Sequence, residues 1–312
     1  MRQVLYLILR GITSLFSLIP LRVLYIFADF LLGILIIFPF LRYRRGIVRK
    51  NLTSSFPCKS KKEIAHIEIK FYRFFLSMIM ESIKMCSLTK KQIKKRMKFN
   101  NLDLILNELE SGNSVVIYLG HICNWEWLSS LPMHIPDKYY RYQVYHRLEN
   151  SVMDDFMLKL RGRFGGISIP MEQIYRRLNT LKNKNQQFVV GMIADQVPLW
   201  RNIHYWTDFM NQRTPVFTGS ERIIRSLNLS SVYGQVIREK RGRYICNFKL
   251  ICSDPNKLKK YEITERYFKL LEKNIMENPP YWLWTHNRWK RTWHEWVKKK
   301  NDKLSESQKV SQ

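Results

Sequence analysis

The chain opens with an apolar run. Residues Val4 to Leu41 are almost wholly hydrophobic, broken by Arg10, Pro20, Arg22 and Asp29, and the run ends in Arg42-Tyr43-Arg44-Arg45 followed by Arg49-Lys50. Val23 to Leu41 is just long enough to span a bilayer, whereas Arg10, Asp29 and Gly33 suit a shallow helical hairpin equally well. A buried hairpin of a soluble protein is the third reading. So long an apolar run beside so basic a cluster favours a membrane anchor over residues 1–45, with the cations on the cytoplasmic, anionic-lipid side. No small-residue cleavage site follows, so the run does not read as a secretory signal.

Beyond the anchor the period changes. Lys61 to Cys86 carries Ile64, Ile67, Phe71, Phe74, Phe75, Met78, Ile79 and Ile83 at helical spacing and predicts a long amphipathic helix. Lys90 to Lys98 is basic without apolar periodicity and reads as a solvated or membrane-facing connection. Asn101–Glu110 predicts a helix, stopped by Ser111-Gly112-Asn113, and Ser114–Leu119 a buried strand of β-branched residues. Helices are then predicted at Trp127–Leu131, Ser151–Arg163, Glu172–Lys182, Ser220–Leu227 and Tyr261–Glu277. Strands are predicted at Tyr140–His146, Phe188–Ala194, Ser231–Arg238 and Arg243–Ile251. Strands separated by helical patterns predict an α/β fold over residues 46–297, with a central mixed, mostly parallel sheet flanked by helices. Residues 298–312 read as a polar, disordered tail.

Charge narrows the function. With 53 Lys and Arg against 25 Asp and Glu, the net charge of +28 calls for an anionic partner: nucleic acid, an anionic membrane surface, or an acidic carrier or phosphorylated substrate. The five cysteines are odd in number and show no CxxC spacing, so free thiols in a reducing compartment are expected rather than disulfides or a zinc site. Two sequons, Asn51-Leu52-Thr53 and Asn228-Leu229-Ser230, are discounted on the same grounds. His134, His146, His204 and His286 show no metal-ligand spacing.

Candidate chemistry gathers where strands end. His121 follows the strand at Ser114–Leu119, and Glu126 falls on the first turn of the next predicted helix, where the helix N-terminus favours a carboxylate. A chain turning from strand to helix can bring that carboxylate back onto the imidazole, giving a general base with its orienting partner. Asp195-Gln196 likewise follows an apolar strand, so His121 and Asp195 can share one sheet edge. Arg161 and Arg163 straddle Gly162 and can clamp a phosphate or an oxyanion. Cys123 invites a nucleophilic reading, but no third group is evident to orient it. Trp125, Trp127 and Trp200 to Trp206 suit the border of an apolar channel and, equally, a core or an interface. The segment Tyr281 to Arg291, basic and rich in tryptophan, suits either base stacking or a membrane interface.

Several of these motifs, in this order, resemble the late acyltransferases of lipid A biosynthesis, the lauroyl- and myristoyl-transferase family within the wider lysophospholipid and glycerolipid acyltransferases. They are Gly120-His121-x-x-Asn124-Trp125-Glu126, then an arginine near a Gly-x-x-x-Ile segment, then Ala194-Asp195-Gln196. Phe209 with Thr214-Pro215 and Gly219 follows, and last Trp284-x-His286-x-Arg288-Trp289-Lys290. The post-anchor stretch Arg44-Arg45 to Asn51-Leu52 and Phe56-Pro57 is similar too. Ile122-Cys123 depart from the Phe-Gly common after the family's histidine.

The resemblance implies a glycerolipid acyltransferase-like fold and transfer of a fatty acyl chain from acyl carrier protein, or coenzyme A, to a hydroxyl of a lipid A precursor. It places that reaction at the cytoplasmic face of the bacterial inner membrane. It implies no metal and no cofactor, His121 and Glu126 as catalytic residues, and Arg161 or Arg163, Asp195, Asn124 and Gln196 as substrate or oxyanion contacts. Acyl carrier protein, an anionic lipid substrate and the membrane surface are the implied partners, and nucleic acid is not. The same machinery on a lysophospholipid or an amino-acid-based lipid is the alternative. A basic protein that only binds membrane or nucleic acid is the non-enzyme alternative.

Overall fold

The computed structural model describes residues 2–310. Helices α1 (Arg2–Leu18) and α2 (Leu21–Ile37) meet at a bend of 105° at Pro20, which cannot donate to the helical ladder and starts the second helix afresh. Neither helix alone is long and apolar enough to cross a membrane, although the bent pair together meets that length and composition. Helix α2 is docked rather than free. Leu21, Leu24, Ala28 and Leu32 are buried, and Asp29 pairs with Arg73 at 3.1 Å and with Arg241 at 2.6 Å. Its outer face and that of α1 remain apolar and exposed, including Leu7, Ile12, Leu15, Val23, Ile26 and Phe30.

Two further helices follow: α4 (Lys61–Lys84) lies against this pair, and α3 (Arg45–Ser55) packs on α4. Helix α4 opens with a capping box between Ser60 and Glu63 and carries the predicted apolar stripe into the core. The basic run after it is not a loose connection. Thr89 and Gln92 form a second capping box that starts α5 (Lys90–Lys94), and Met97–Asn100 forms strand β1; Ile93 and Met97 are fully buried.

From β1 the chain continues through α6 (Asp103–Glu110), β2 (Val115–Leu119), a 3-10 segment (Trp125–His134), β3 (Tyr140–Tyr145), α7 (Ser151–Gly162), β4 (Ile167–Pro170), α8 (Ile174–Asn183) and β5 (Phe188–Ile193). It closes with β6 (Trp206–Phe209), β7 (Gln212–Pro215), α9 (Gly219–Leu227), β8 (Ser230–Lys240), β9 (Arg243–Cys252), α10 (Glu262–Glu277) and α11 (Trp293–Val310). Seven strands form one sheet in the order β1-β9-β8-β2-β5-β3-β4, antiparallel between β8 and β9 and parallel elsewhere. The expected mixed, mostly parallel sheet among helices is therefore observed.

The sequence pattern missed β4 and the small hairpin β6–β7. That hairpin turns at Met210-Asn211, both at positive φ, the backbone that a two-residue turn between twisted strands requires. The polar stretch from 298, expected to be unstructured, lies to Val310 within α11; Thr292 and Glu295 cap that helix reciprocally, and it contains neither glycine nor proline. Residues 311 and 312 lie outside the described residues.

Candidate active site

Strands β2 and β5 lie side by side, parallel, with Leu119 opposite Ile193. Two residues past each, His121 and Asp195 meet at the C-terminal edge of the sheet. His121 Nδ1 lies 2.6 Å from Asp195 Oδ1, and the His121 backbone N–H donates to Asp195 Oδ2 at 2.8 Å. The Trp282 indole N–H donates to the same Oδ2 at 2.8 Å. Gly120 permits this closure: a Cβ there would stand 2.6 Å from Leu271 Cδ1 of α10 and 3.4 Å from Asp195 Oδ2.

The electrostatics fix the tautomer. Asp195 is 2% exposed, and burial by itself would raise its pKa. The neighbouring imidazole and the three donated hydrogen bonds outweigh burial and bring the carboxyl down to about 2. An ionised Asp195 can only accept, so His121 carries a proton on Nδ1 and presents Nε2 as an acceptor. Nε2 faces a cavity and lies 3.3 Å from Gln196 Nε2.

Glu126 does not orient His121. It forms a two-pronged pair with Arg161, Nε to Oε2 and Nη2 to Oε1, each at 2.7 Å, and accepts from the Trp125 indole at 3.1 Å. The physical reason is the local helix. The segment after Asn124 winds as a 3-10 helix with Pro132 inside it, and Ser129 and Ser130 donate their hydroxyls to the carbonyls of Glu126 and Trp127. Glu126 is thereby directed toward α7, where Arg161 holds it.

Arg163 belongs elsewhere. Its guanidinium donates to the carbonyls of Met85, at 2.6 Å, Cys86 and Leu88, closing the end of α4. Of the two arginines the sequence left open, the structure brings Arg161 to the cavity.

Asn124 is a scaffold residue in this arrangement. Fully buried, it donates to Glu81 Oε2 at 2.7 Å and accepts from the Trp127 N–H at 3.3 Å, so neither end of its amide faces the cavity. Glu81 also accepts from the hydroxyls of Tyr25 and Tyr244, tying the loop after His121 to α2, α4 and β9. Cys123 is buried, its thiol pointed at the Val236 carbonyl and its pKa pushed up by burial, which removes it as a nucleophile. All five cysteines are free, and no cluster suited to a metal occurs among the described residues.

The tryptophan-rich segment near the C-terminus is part of the site's frame rather than an exposed stacking surface. The Tyr281 carbonyl accepts from the Cys123 N–H at 2.8 Å, the Leu283 N–H donates to the His121 carbonyl at 3.1 Å, and Trp282, Trp284, Arg288 and Trp289 are buried. His286 Nε2 accepts from the Val197 N–H at 3.3 Å, steadying the loop that carries Gln196. Burial, with Arg288 nearby, depresses the His286 pKa to about 4 and keeps the ring neutral for that role. Trp282 and Glu81 were not singled out from sequence, although Trp282 adjoins the Trp284 to Lys290 motif.

His121, Trp125, Glu126, Arg161 and Gln196 together line a cavity of about 430 Å³, within the range of about 300–1,000 Å³ typical of small-molecule sites. Ile117, Leu128, Val144, Val189 and Phe248 line it with apolar surface, and Ser129, Arg141, Gln143 and His146 add polar groups. Of the tryptophans expected along a channel, Trp125 lines it; Trp127 is core, and Trp206 packs on Trp293 and Trp296.

The family model of the bacterial lipid A biosynthesis acyltransferases matches residues 2–291. No curated protein matches the chain.

Proposed function

The chain belongs to the bacterial lipid A biosynthesis acyltransferases, and from that premise we propose that His121, held by Asp195, is the base that moves a fatty acyl chain onto a hydroxyl of a lipid A precursor. The observation that carries this reading is an imidazole with its Nδ1 held by Asp195 and its Nε2 turned, beside the Gln196 amide, to a cavity with much apolar lining. An acyl thioester is already activated, so transfer needs a base for the attacking hydroxyl and donors for the oxyanion. Acyl carrier protein is the donor that a net charge of +28 suits best, being acidic.

In this mechanism the acyl chain lies in the cavity with its thioester carbonyl at the rim. His121 Nε2 takes the acceptor hydroxyl proton as the oxygen attacks the carbonyl carbon. The tetrahedral intermediate collapses, the C–S bond breaks, and the imidazolium returns the proton to the departing thiolate. Asp195 stabilises the imidazolium between those steps. The Gln196 amide, beside Nε2 in the resting site, turns its N–H to the oxyanion once the hydroxyl takes its place. Glu126 and Arg161 form the polar wall against which the acceptor is positioned.

The exposed apolar faces of α1 and α2, continued by Phe38, Phe40 and Leu41 and followed by the exposed cations Arg44, Arg45 and Lys50, support seating at the cytoplasmic face of the inner membrane. The strand-end site on a mixed sheet supports a glycerolipid acyltransferase-like fold.

The test is the mass spectrum of lipid A from cells lacking the gene, complemented by wild type or by His121→Ala. Loss of one acyl chain restored only by wild type supports the acceptor and the base together. Unchanged lipid A on deletion removes the acceptor assignment and moves the search to other membrane lipids.

A further inference from the structure

Helix α7 presents two faces. At about 100° per residue, Phe156, Lys159, Leu160 and Arg163 form one stripe, and Arg161 stands roughly 150° away from it. Arg161 lines the catalytic cavity, whereas the stripe lines a second cavity, of about 370 Å³, walled on its other side by Tyr6, Arg10 and Ser14 of α1. Among the described residues, three cations and no carboxylate line this second cavity. The Arg163 guanidinium is fixed there by the carbonyls at the end of α4, and the Lys159 ammonium lies 4.3 Å from the Tyr6 ring centroid. Beside Arg10, the outward face of α1 exposes Leu7, Ile8, Ile12 and Leu15.

A cationic recess bordered by an exposed apolar helix face matches an amphiphile with an anionic head. We propose that Arg10, Lys159 and Arg163 hold the phosphate headgroup of an anionic bilayer phospholipid, whose chains lie along the apolar face of α1. This ligand is distinct from the acylated substrate, because Arg161 and the stripe look to different sides of α7. The site docks the helix pair on one lipid and so sets the height of the catalytic rim above the bilayer. The inference rests on the membrane seating of α1 and α2 proposed above.

The experiment is native mass spectrometry of the detergent-solubilised full chain with phosphatidylglycerol or phosphatidylcholine added. Wild type retains phosphatidylglycerol in preference to phosphatidylcholine. Arg10→Gln and Lys159→Gln each weaken that retention by about fivefold or more, the effect of one basic residue at an anionic lipid surface. Arg22→Gln removes an exposed cation beside Val23 on α2 and leaves retention intact.

Equal retention of the two lipids by wild type overturns the site. So does an Arg22→Gln loss as large as that of Lys159→Gln, which marks a diffuse surface potential, or displacement of the lipid by an equal concentration of inorganic phosphate, which marks a free-phosphate site. Flotation on phosphatidylcholine vesicles tests the seating separately: wild type and all three variants float, and wild type failing to float removes the seating while the retention data still decide the pocket.

Discussion

Asp195 holds both the ring and the backbone of His121, with Oδ1 2.6 Å from Nδ1 and Oδ2 accepting the backbone N–H at 2.8 Å. One carboxylate therefore fixes the position, orientation and tautomer of the base. Asp195→Asn keeps the volume but presents an amide that stabilises imidazolium poorly. Its kcat is expected to fall by about 10²–10⁴. In ¹⁵N NMR the Nδ1–H tautomer of His121 is lost in Asp195→Asn and kept in Glu126→Gln; a tautomer that follows Glu126 instead would restore the pairing expected from sequence.

Acid stability has two separate windows. His286 is held neutral, its pKa depressed to about 4, so the unfolded chain binds more protons below its ordinary value and stability declines from about pH 6.5 to 4. Asp195 is depressed from 3.8 to about 2, so its contribution is complete above the unfolded value and is lost as pH falls through the folded one, at roughly 2 kcal/mol. Urea midpoints measured across pH should lose the upper slope in His286→Gln and the lower slope in Asp195→Asn. Slopes unchanged by these substitutions would assign the acid sensitivity to other groups.

Arg161 and Arg163 separate by what they touch. Arg161→Ala strands Glu126, whose side chain is 8% exposed, and is expected to cost about 2 kcal/mol, the full penalty for breaking a buried pair being reduced because Arg161 is itself 25% exposed. It also lowers acyl transfer. Arg163→Ala frees three carbonyls at the end of α4 and costs about 1–3 kcal/mol. Thermal melts paired with kinetics on the folded fraction check this, and full activity in Arg161→Ala contradicts the placement.

Gly120→Ala puts a methyl 2.6 Å from Leu271 Cδ1 in a filled core, at a cost of about 1–3 kcal/mol. Trimming Leu271 to Val in the same chain should return much of that loss. Destabilisation that the second change leaves untouched would point away from the α10 contact.

Cys123→Ala should keep transfer within a few-fold of wild type at a cost of about 1 kcal/mol for the lost sulfur, because the thiol is buried and raised in pKa. Thiol titration with an aromatic disulfide should leave Cys123 unmodified until the protein unfolds. Inactivation by Cys123→Ala in a folded protein would return the thiol to the mechanism.

The strands that deliver His121 and Asp195 were legible because each is a short β-branched or apolar run with a polar residue at its end. That the two share an edge was legible as well, but their contact depends on β2 pairing β5, a long-range choice that no local pattern encodes. Glu126 was misplaced because a five-residue apolar segment cannot distinguish an α-helix from a 3-10 helix, and that winding decides where the carboxylate points. The segment Tyr281 to Arg291 looked like a surface because it is basic, yet Trp282 is buried by pairing with the His121 loop, and Arg288 and Trp289 are buried against Pro215 and Thr214 of β7. Residues 90–98 looked like a connection because the capping box at Thr89 and Gln92 went unread among lysines.

The most direct test of the His121–Asp195 site is the rate of acyl transfer from acyl carrier protein to a purified lipid A precursor by wild type, His121→Ala and Asp195→Asn, each shown folded by its thermal transition. The expected result is turnover by wild type and losses of about 10²–10⁴ in both variants, with vesicle association unchanged. Turnover near the wild-type rate in folded His121→Ala would contradict the base assignment and the mechanism built on it.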